Sequence, residues 1–460
     1  MVPVQEQMGI YVDKIRKLHK TAGLLPAPLY VLFVQLEAYM NAADKHLTVT
    51  VEGDEDEAVA LLSSGNKNED PDDSDSDQEA DPPEDLNEEK LRRHRKLSKA
   101  DRQEERRKRL LLKHPLHIHL TIKLKGFGDY LTLNFYYLMN LNVVTVQCEV
   151  HLVQQIRGIS AGDLLSPHML LAALIPNDLG EDSPNAANYY QLRNVGLDKF
   201  ASYVSELGHP YRWTQQMAGL NFLPANQSAA DGEQTDLVKP DPEVSRACVP
   251  DLVKCIRSRF KARIALGRQV QDFEAGHVQI LQTQKQAFPP RVSTTLTSWQ
   301  PVIWNDYRQL NSTQRLVREK AVTEADTLYR AAFSRGSAKL IALIAVKPDH
   351  PKDPPVFSLN LHWNGEHNSN NDDAIRDMER EVNVHWRELI SEPGWSWGLL
   401  SAQMYRLMAC LDVYLEATCT RSVLPAEFPK ERIFFSPVRG RTRSLPYKYI
   451  PAGGGRYTQR

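Results

Sequence analysis

Residues 115–125, PLHIHLTIKLK, alternate apolar and polar side chains without a break. Leu116, Ile118, Leu120, Ile122 and Leu124 share one face, and His117, His119, Thr121 and Lys123 share the other. A period of two is the pattern of a strand with one face in a core and the other in water. It points to an antiparallel sheet, since parallel sheets bury both faces. KGFGD supplies a turn, and YLTLNFYYLMNLNVVTVQCEV (130–150) gives two more strands about an Asn140–Asn142 turn. Upstream, HLTVTVE (46–52) alternates in the same way. PAPLYVLFVQLEAYMNAA (26–43) carries apolar residues on several faces with Pro28 near its first turn, as a buried helix does.

Helices follow the meander. SAGDLLSPHMLLAALIP offers Asp163 or Ser166 as caps, and Leu197, Phe200, Val204 and Leu207 recur at helical spacing before Gly208. A polar linker spans 226–249. In DLVKCIRSRFKARIALGRQVQDF (251–273), Leu252, Ile256, Phe260 and Ile264 form an apolar stripe opposite a basic face, read as solvated. The plan then repeats. TEADTLYRAAFS and AKLIALIAVK flank the hairpin turn RGS, and VFSLNLHW is a third strand. Asn371 or Asp372 caps a helix with Ile375, Met378, Val382, Trp386 and Leu389 inward. A last helix places Leu400, Met404, Leu407, Met408, Leu411 and Leu415 on one side. The fold class expected is α+β: two domains in tandem, each helix, antiparallel β-meander and helices. The boundaries are 1–225 for the first, 226–249 for the linker, 250–450 for the second and 451–460 for a flexible tail. Pro348, Pro351, Pro354 and Pro355 are expected to hold an extended loop that withholds donors at a sheet edge.

The net charge of −2 conceals a local asymmetry. From Glu52 to Glu89 lie seventeen acidic residues and one lysine, Lys67, with no aromatic. Such a stretch buries too little apolar surface to offset its ordering entropy, so residues 53–113 are expected as a disordered or charged insert in the first domain. Ser74 and Ser76, in SDSDQE, each have an acidic residue three positions on and are candidate phosphorylation sites. From Lys90 to Lys113 the sign reverses. Arg92, Arg93, Arg95 and Lys96, then Arg106, Arg107, Lys108 and Arg109, form clusters of the nuclear-localisation type. The alternative is a solvent-exposed helix with pairs such as Glu104 and Lys108.

A search for chemistry returns no motif. The five cysteines, Cys148, Cys248, Cys255, Cys410 and Cys419, include no CxxC pair and no zinc spacing with histidine. There is no GxSxG, Walker A or HExxH, and no apolar run long enough to span a bilayer. His362, His367 and His385 near Asp372 and Asp373 are better read as solvated histidines and helix-capping acids than as a metal or acid–base site. No catalytic, cofactor-binding or metal-binding residue is expected, and no cofactor.

The run from Pro348 to Pro355 before an apolar strand resembles the proline-rich loop of RWD domains, α+β modules related to the ubiquitin-conjugating fold. Those enzymes follow a His-Pro-Asn element with a nucleophilic cysteine. Here His114–Pro115, His209–Pro210 and His350–Pro351 lack the Asn and a nearby Cys. Longer stretches carry a second resemblance: LPAPLYVLFVQLEAY (25–39), HPLHIHLTIKLK, NFYYLMNLNVVTV (134–146), ISAGDLLSP (159–167), ELGHPYRW (206–213), PPVFSLNLHWNGEHNSNNDDAIRDMEREVNV (354–384) and LLSAQMYRLMACLDVYLE (399–416). Together they resemble the THO complex subunit 5 family from near residue 3 to about residue 450. Members of that family begin with a long coiled coil, where they pair with THO subunit 7; this chain starts inside the family pattern and is expected to be the carboxy-terminal part.

The resemblance implies a non-catalytic scaffold or adaptor of the THO/TREX assembly in the nucleus, shuttling to the cytoplasm included, which couples transcription and mRNA processing to mRNA export. Its implied partners are other THO/TREX subunits and the mRNA export receptor, with RNA met mainly indirectly and neither membrane nor small-molecule substrate. The alternative is an RNA-binding module that uses the basic segment 90–113 and the Arg/Tyr-rich tail VRGRTRSLPYKYIPAGGGRYTQR.

Overall fold

The structure, a computed structural model, describes residues 4–63, 99–126, 128–197, 207–222, 239–363, 373–390, 392, 394–419, 448–450 and 456–458. It is α+β with two four-stranded antiparallel sheets. Contacts divide the chain into two compact units. The first holds Met1–Val153 and Leu171–Arg257; the second holds Gln154–Leu170 and Ser258–Arg460. The sequence places this division in the linker 226–249 and assigns 154–170 to the first half. No described helix is long and apolar enough to cross a membrane.

In the first unit, α1 (Val4–Ala22) and α2 (Ala27–Ala43) precede β1 (Leu47–Gly53), α3 (Glu55–Ser63) and α4 (Lys99–Leu110). Strands β2 (Leu116–Lys123), β3 (Tyr130–Leu138) and β4 (Val143–His151) complete a sheet of order β1-β2-β3-β4. Alternation sets the register: Val49 lies opposite Leu120, Leu120 opposite Leu133, and Leu133 opposite Cys148. All four sit on the face that α2 covers with Leu29, Leu32, Phe33 and Leu36. Each such side chain contributes about 1.5–3 kcal/mol on burial. Pro26 and Pro28 pre-set the first turn of α2, where an N–H has no partner to lose.

In the second unit, β5 (Thr295–Pro301), β6 (Thr327–Arg335), β7 (Ala338–Val346) and β8 (Val356–His362) form the second meander. One face packs on α6 (Asp373–Asn383) and α7 (Leu399–Cys419) through Phe333, Leu340, Phe357, Met378, Met404 and Leu407. At one end of the opposite face, Tyr307 and Val322 pack on Leu328 and Leu343 of the sheet. Helix α7 is buried on nearly every side from Leu399 to Ala417, beyond the one stripe expected.

Several expectations are corrected. Residues 53–113 are not structureless throughout: α3 and α4 bracket the insert, Ala58 is wholly buried, and Asp54 caps α3 by accepting from Asp56 and Glu57 N–H. The 33-residue helix α5 (Pro242–Glu274) begins inside the expected linker. Its basic face is not simply solvated, since Arg259 and Arg263 are buried. Strand β5 is absent from the sequence reading because a bulge between Leu296 and Ser298 breaks the period of two. The proline loop turns tightly through Lys347–His350 and Asp349–Lys352 hydrogen bonds instead of running extended, with a cis His350–Pro351 peptide. The tail is not free along its length: Arg456–Thr458 pairs antiparallel with Lys448–Ile450.

Candidate interaction surfaces

Helix α4 carries half of the basic clusters singled out from the sequence. Arg106, Lys108 and Arg109 are exposed, whereas Arg107 is half-buried. Arg107 pairs with Glu104 at 3.4 Å, in place of the expected Glu104–Lys108 pair, and donates to the Val195 carbonyl at 3.0 Å. Leu110 and Leu111 pack against Leu138, Val143, Leu192 and Leu207, and the Asn140 amide donates to the Arg109 carbonyl. The basic row is thus held at one end of the first sheet. Arg92, Arg93, Arg95, Lys96, Ser74 and Ser76 lie outside the described residues, as do Phe200, Val204, His367, Asn371 and Asp372.

A cleft of about 1060 Å³ opens in the first unit between 177–197 and 212–222. Its lining mixes Glu181 and Asp182 with Arg193, Arg212, Gln216 and Tyr189. Asp178 anchors the floor by accepting from the Trp213 N–H, and burial pushes its carboxyl up against the opposing pull of the Arg212 and Trp213 N–H groups. Asn185 and Asn188 both donate to the Leu141 carbonyl. Nothing in the local pattern announced this cleft, because its walls are short turns without periodicity.

In the second unit the proline loop lies over a buried polar group. The Arg263 guanidinium donates to the Pro348 carbonyl at 3.0 Å, and burial draws it down to about 10. Burial likewise holds His350 down at about 3, and its Nδ1 has no hydrogen-bond partner. Arg259 faces Asp349 at 3.4 Å.

Three of the thiols are shielded from nucleophilic chemistry by burial. Burial pushes Cys148 up to about 12 and Cys248 up to about 11, and Cys410 is wholly buried. A reactive cysteine needs the opposite environment. No cluster of three metal-ligating groups, with His362 or His385 or elsewhere, occurs among the described residues.

The Fms-interacting protein/Thoc5 family model matches residues 1–222. The chain is 41% identical to the THO complex subunit 5 homolog of Mus musculus and 39% identical to THO complex subunit 5 homolog A of Xenopus laevis, over 97% of its length in both cases. It is 28% identical to THO complex subunit 5 of Drosophila melanogaster over 98%. It spans 63%, 64% and 69% of these relatives respectively. With both units covered at this identity, the chain belongs to the Fms-interacting protein/Thoc5 family, that of THO complex subunit 5.

Proposed function

We propose that this chain is the folded interaction part of a THO subunit: a non-catalytic nuclear scaffold that helps couple transcription and mRNA processing to mRNA export. The observation that carries the reading is the similarity, over 97% of the chain, to relatives named as THO complex subunits. The described site chemistry supports it, with surfaces that mix both signs of charge and with Cys148 and Cys248 held in the protonated form. Its partners are other THO/TREX subunits and the export receptor. Both units are RWD-like domains; a four-stranded meander followed by helices in each supports that assignment. The basic clusters of 92–109 serve nuclear import, and Ser74 and Ser76 are sites of phosphorylation beside acids.

The test is recovery of the tagged chain from nuclear extract with and without ribonuclease, read by mass spectrometry. Recovery of THO subunits in the presence of ribonuclease is expected. Recovery only with intact RNA replaces the scaffold by RNA tethering. Recovery of none removes the reading for the chain by itself.

A further inference from the structure

The outer face of the first sheet has no role in the scaffold reading. Apart from Leu138 and Val143 at one end, its aliphatic residues point the other way, towards α2. One end of the outer face is closed by Leu110, Leu192 and Leu207 packed on Leu138 and Val143. Beyond that end, cross-strand pairs lie half-exposed. His117 lies against Tyr136, ring centroids 4.8 Å apart and 30° between planes. Tyr130 stacks on His151 at 4.4 Å and 14°. Between them His119 Nδ1 meets Asn134 Oδ1 at 2.7 Å. The Lys113 ammonium sits 4.6 Å over the Tyr136 ring.

Cross-strand aromatic pairs stabilise any sheet and by themselves need no ligand. Here they come with two further features. Among the described residues the open half carries no aliphatic side chain: its rings stand among Thr, His, Asn and Gln, with Glu52 and Glu149 at its edges. The helix that leads into β2 through Lys113 carries the exposed Arg106, Lys108 and Arg109, and the Arg107 and Asn140 hydrogen bonds tie that helix to the same unit. Flat rings standing on a polar sheet beside a row of fixed cations match a ligand of flat rings on a polyanionic chain. Tyr130 and Tyr136 are six residues apart on one strand, about 20 Å, which is room for a short run of unstacked bases.

We infer that the open half of the β1–β4 sheet is a binding site for single-stranded nucleic acid, with bases extending the His117–Tyr136 and Tyr130–His151 stacks and phosphates passing towards Lys113 and α4. The inference does not depend on the scaffold reading.

The test is fluorescence anisotropy of labelled U15 with the whole chain, at low and near-physiological salt. The parent should bind U15 at least tenfold more tightly than a duplex of equal length, since stacking needs free bases. Tyr130→Ser and Tyr136→Ser should each weaken binding roughly tenfold, as loss of one stacked base does; the Tm of each variant checks that the fold survives. Equal affinity for dT15 supports the site and assigns recognition to bases and phosphates instead of ribose. Photo-crosslinking of 4-thiouridine to the unaltered chain gives a second readout, independent of the variants. Adducts on peptides of 113–151 support the site. Adducts confined to 90–109 or the carboxy-terminal tail overturn it, as do unchanged affinity in both tyrosine variants, equal binding of duplex, or no binding of U15 at low salt.

Discussion

Arg335, at the end of β6, donates through Nη1 to the Asp412 carboxylate on α7 at 2.8 Å, and the Asp412 side chain is wholly buried. Its Nη2 donates to Glu416 one turn along at 2.9 Å. Asp412 also accepts from Ser293 N–H and the Thr294 hydroxyl. One cation therefore ties sheet to helix and is shared by two buried acids.

Removing that cation takes the guanidinium from both buried acids and leaves Asp412 its hydrogen bonds from Ser293 and Thr294. Arg335→Met is expected to cost about 3–5 kcal/mol, whereas Asp412→Asn, which keeps an acceptor for Ser293 and Thr294, is expected to cost about 1–2 kcal/mol. Chemical denaturation of the two variants measures the difference. Equal losses would mean that packing, not charge, holds this corner.

His350 predicts a pH dependence. Its ordinary pKa is 6.5, and burial lowers it to about 3 in the folded chain, with repulsion from Arg263 adding to the effect. Between these values the unfolded state binds the extra proton. Stability is then full above pH 6.5 and is lost as the pH falls towards 3, by at most about 1.4 kcal/mol per pH unit. Urea melts of the parent and of His350→Leu between pH 4.5 and 7.5 check the sign. If the two chains share one slope, His350 is not its source.

The strands with unbroken alternation were legible in the sequence because a period of two admits one register. Leu116 to Leu124 and the hairpin about Asn140–Asn142 stand where the pattern put them. Strand β5 was not legible: its two inward residues, Leu296 and Trp299, are three apart across the bulge. The burial of Arg259 and Arg263 was illegible for another reason. Partners such as Asp349 and Pro348 lie some 85–90 residues away, and helical periodicity carries no record of them. The basic row of α4 was visible as composition, but what fixes it, Arg107 on Val195, is a contact 88 residues long.

Gln215 acts as a strand partner for β4. Its Oε1 accepts from Val144 N–H at 2.9 Å, and its Nε2 donates to the carbonyls of Val144 and Tyr211. Gln215→Leu keeps the volume but orphans the buried N–H and carbonyl of Val144, while the Tyr211 carbonyl keeps its bonds from Thr214 and residue 215 N–H, for a loss of about 2–4 kcal/mol. Amide exchange at Val144 should quicken in the variant. Unchanged protection there would refute the role.

Gly208 sits at φ +80°, where a Cβ would lie 2.6 Å from the Val146 carbonyl atoms. The contact is enforced by the bridge between Val146 and His209. Gly208→Ala combines the strain of positive φ with a backbone clash, so a loss above about 1 kcal/mol is expected. A thermal melt within 1 °C of the parent would show that the bridge can open at little cost.

The thiols give a direct test of the reading without covalent chemistry. Cys255 is exposed on the helix Pro242–Glu274, Cys248 is half-buried, and Cys148 and Cys410 are buried. A thiolate is the reacting species, and burial holds Cys148 and Cys248 well above neutral pH in their protonated form. In a Cys419→Ser background, a disulfide reagent at pH 7.5 should label one thiol rapidly, Cys255, with Cys248 slower. Cys148 and Cys410 should react only on unfolding. Peptide mapping of the labelled chain assigns each event. Rapid native labelling at Cys148 or Cys410 would mean an activated thiolate in the core of a unit, and would reopen a thioester chemistry like that of the ubiquitin-conjugating enzymes.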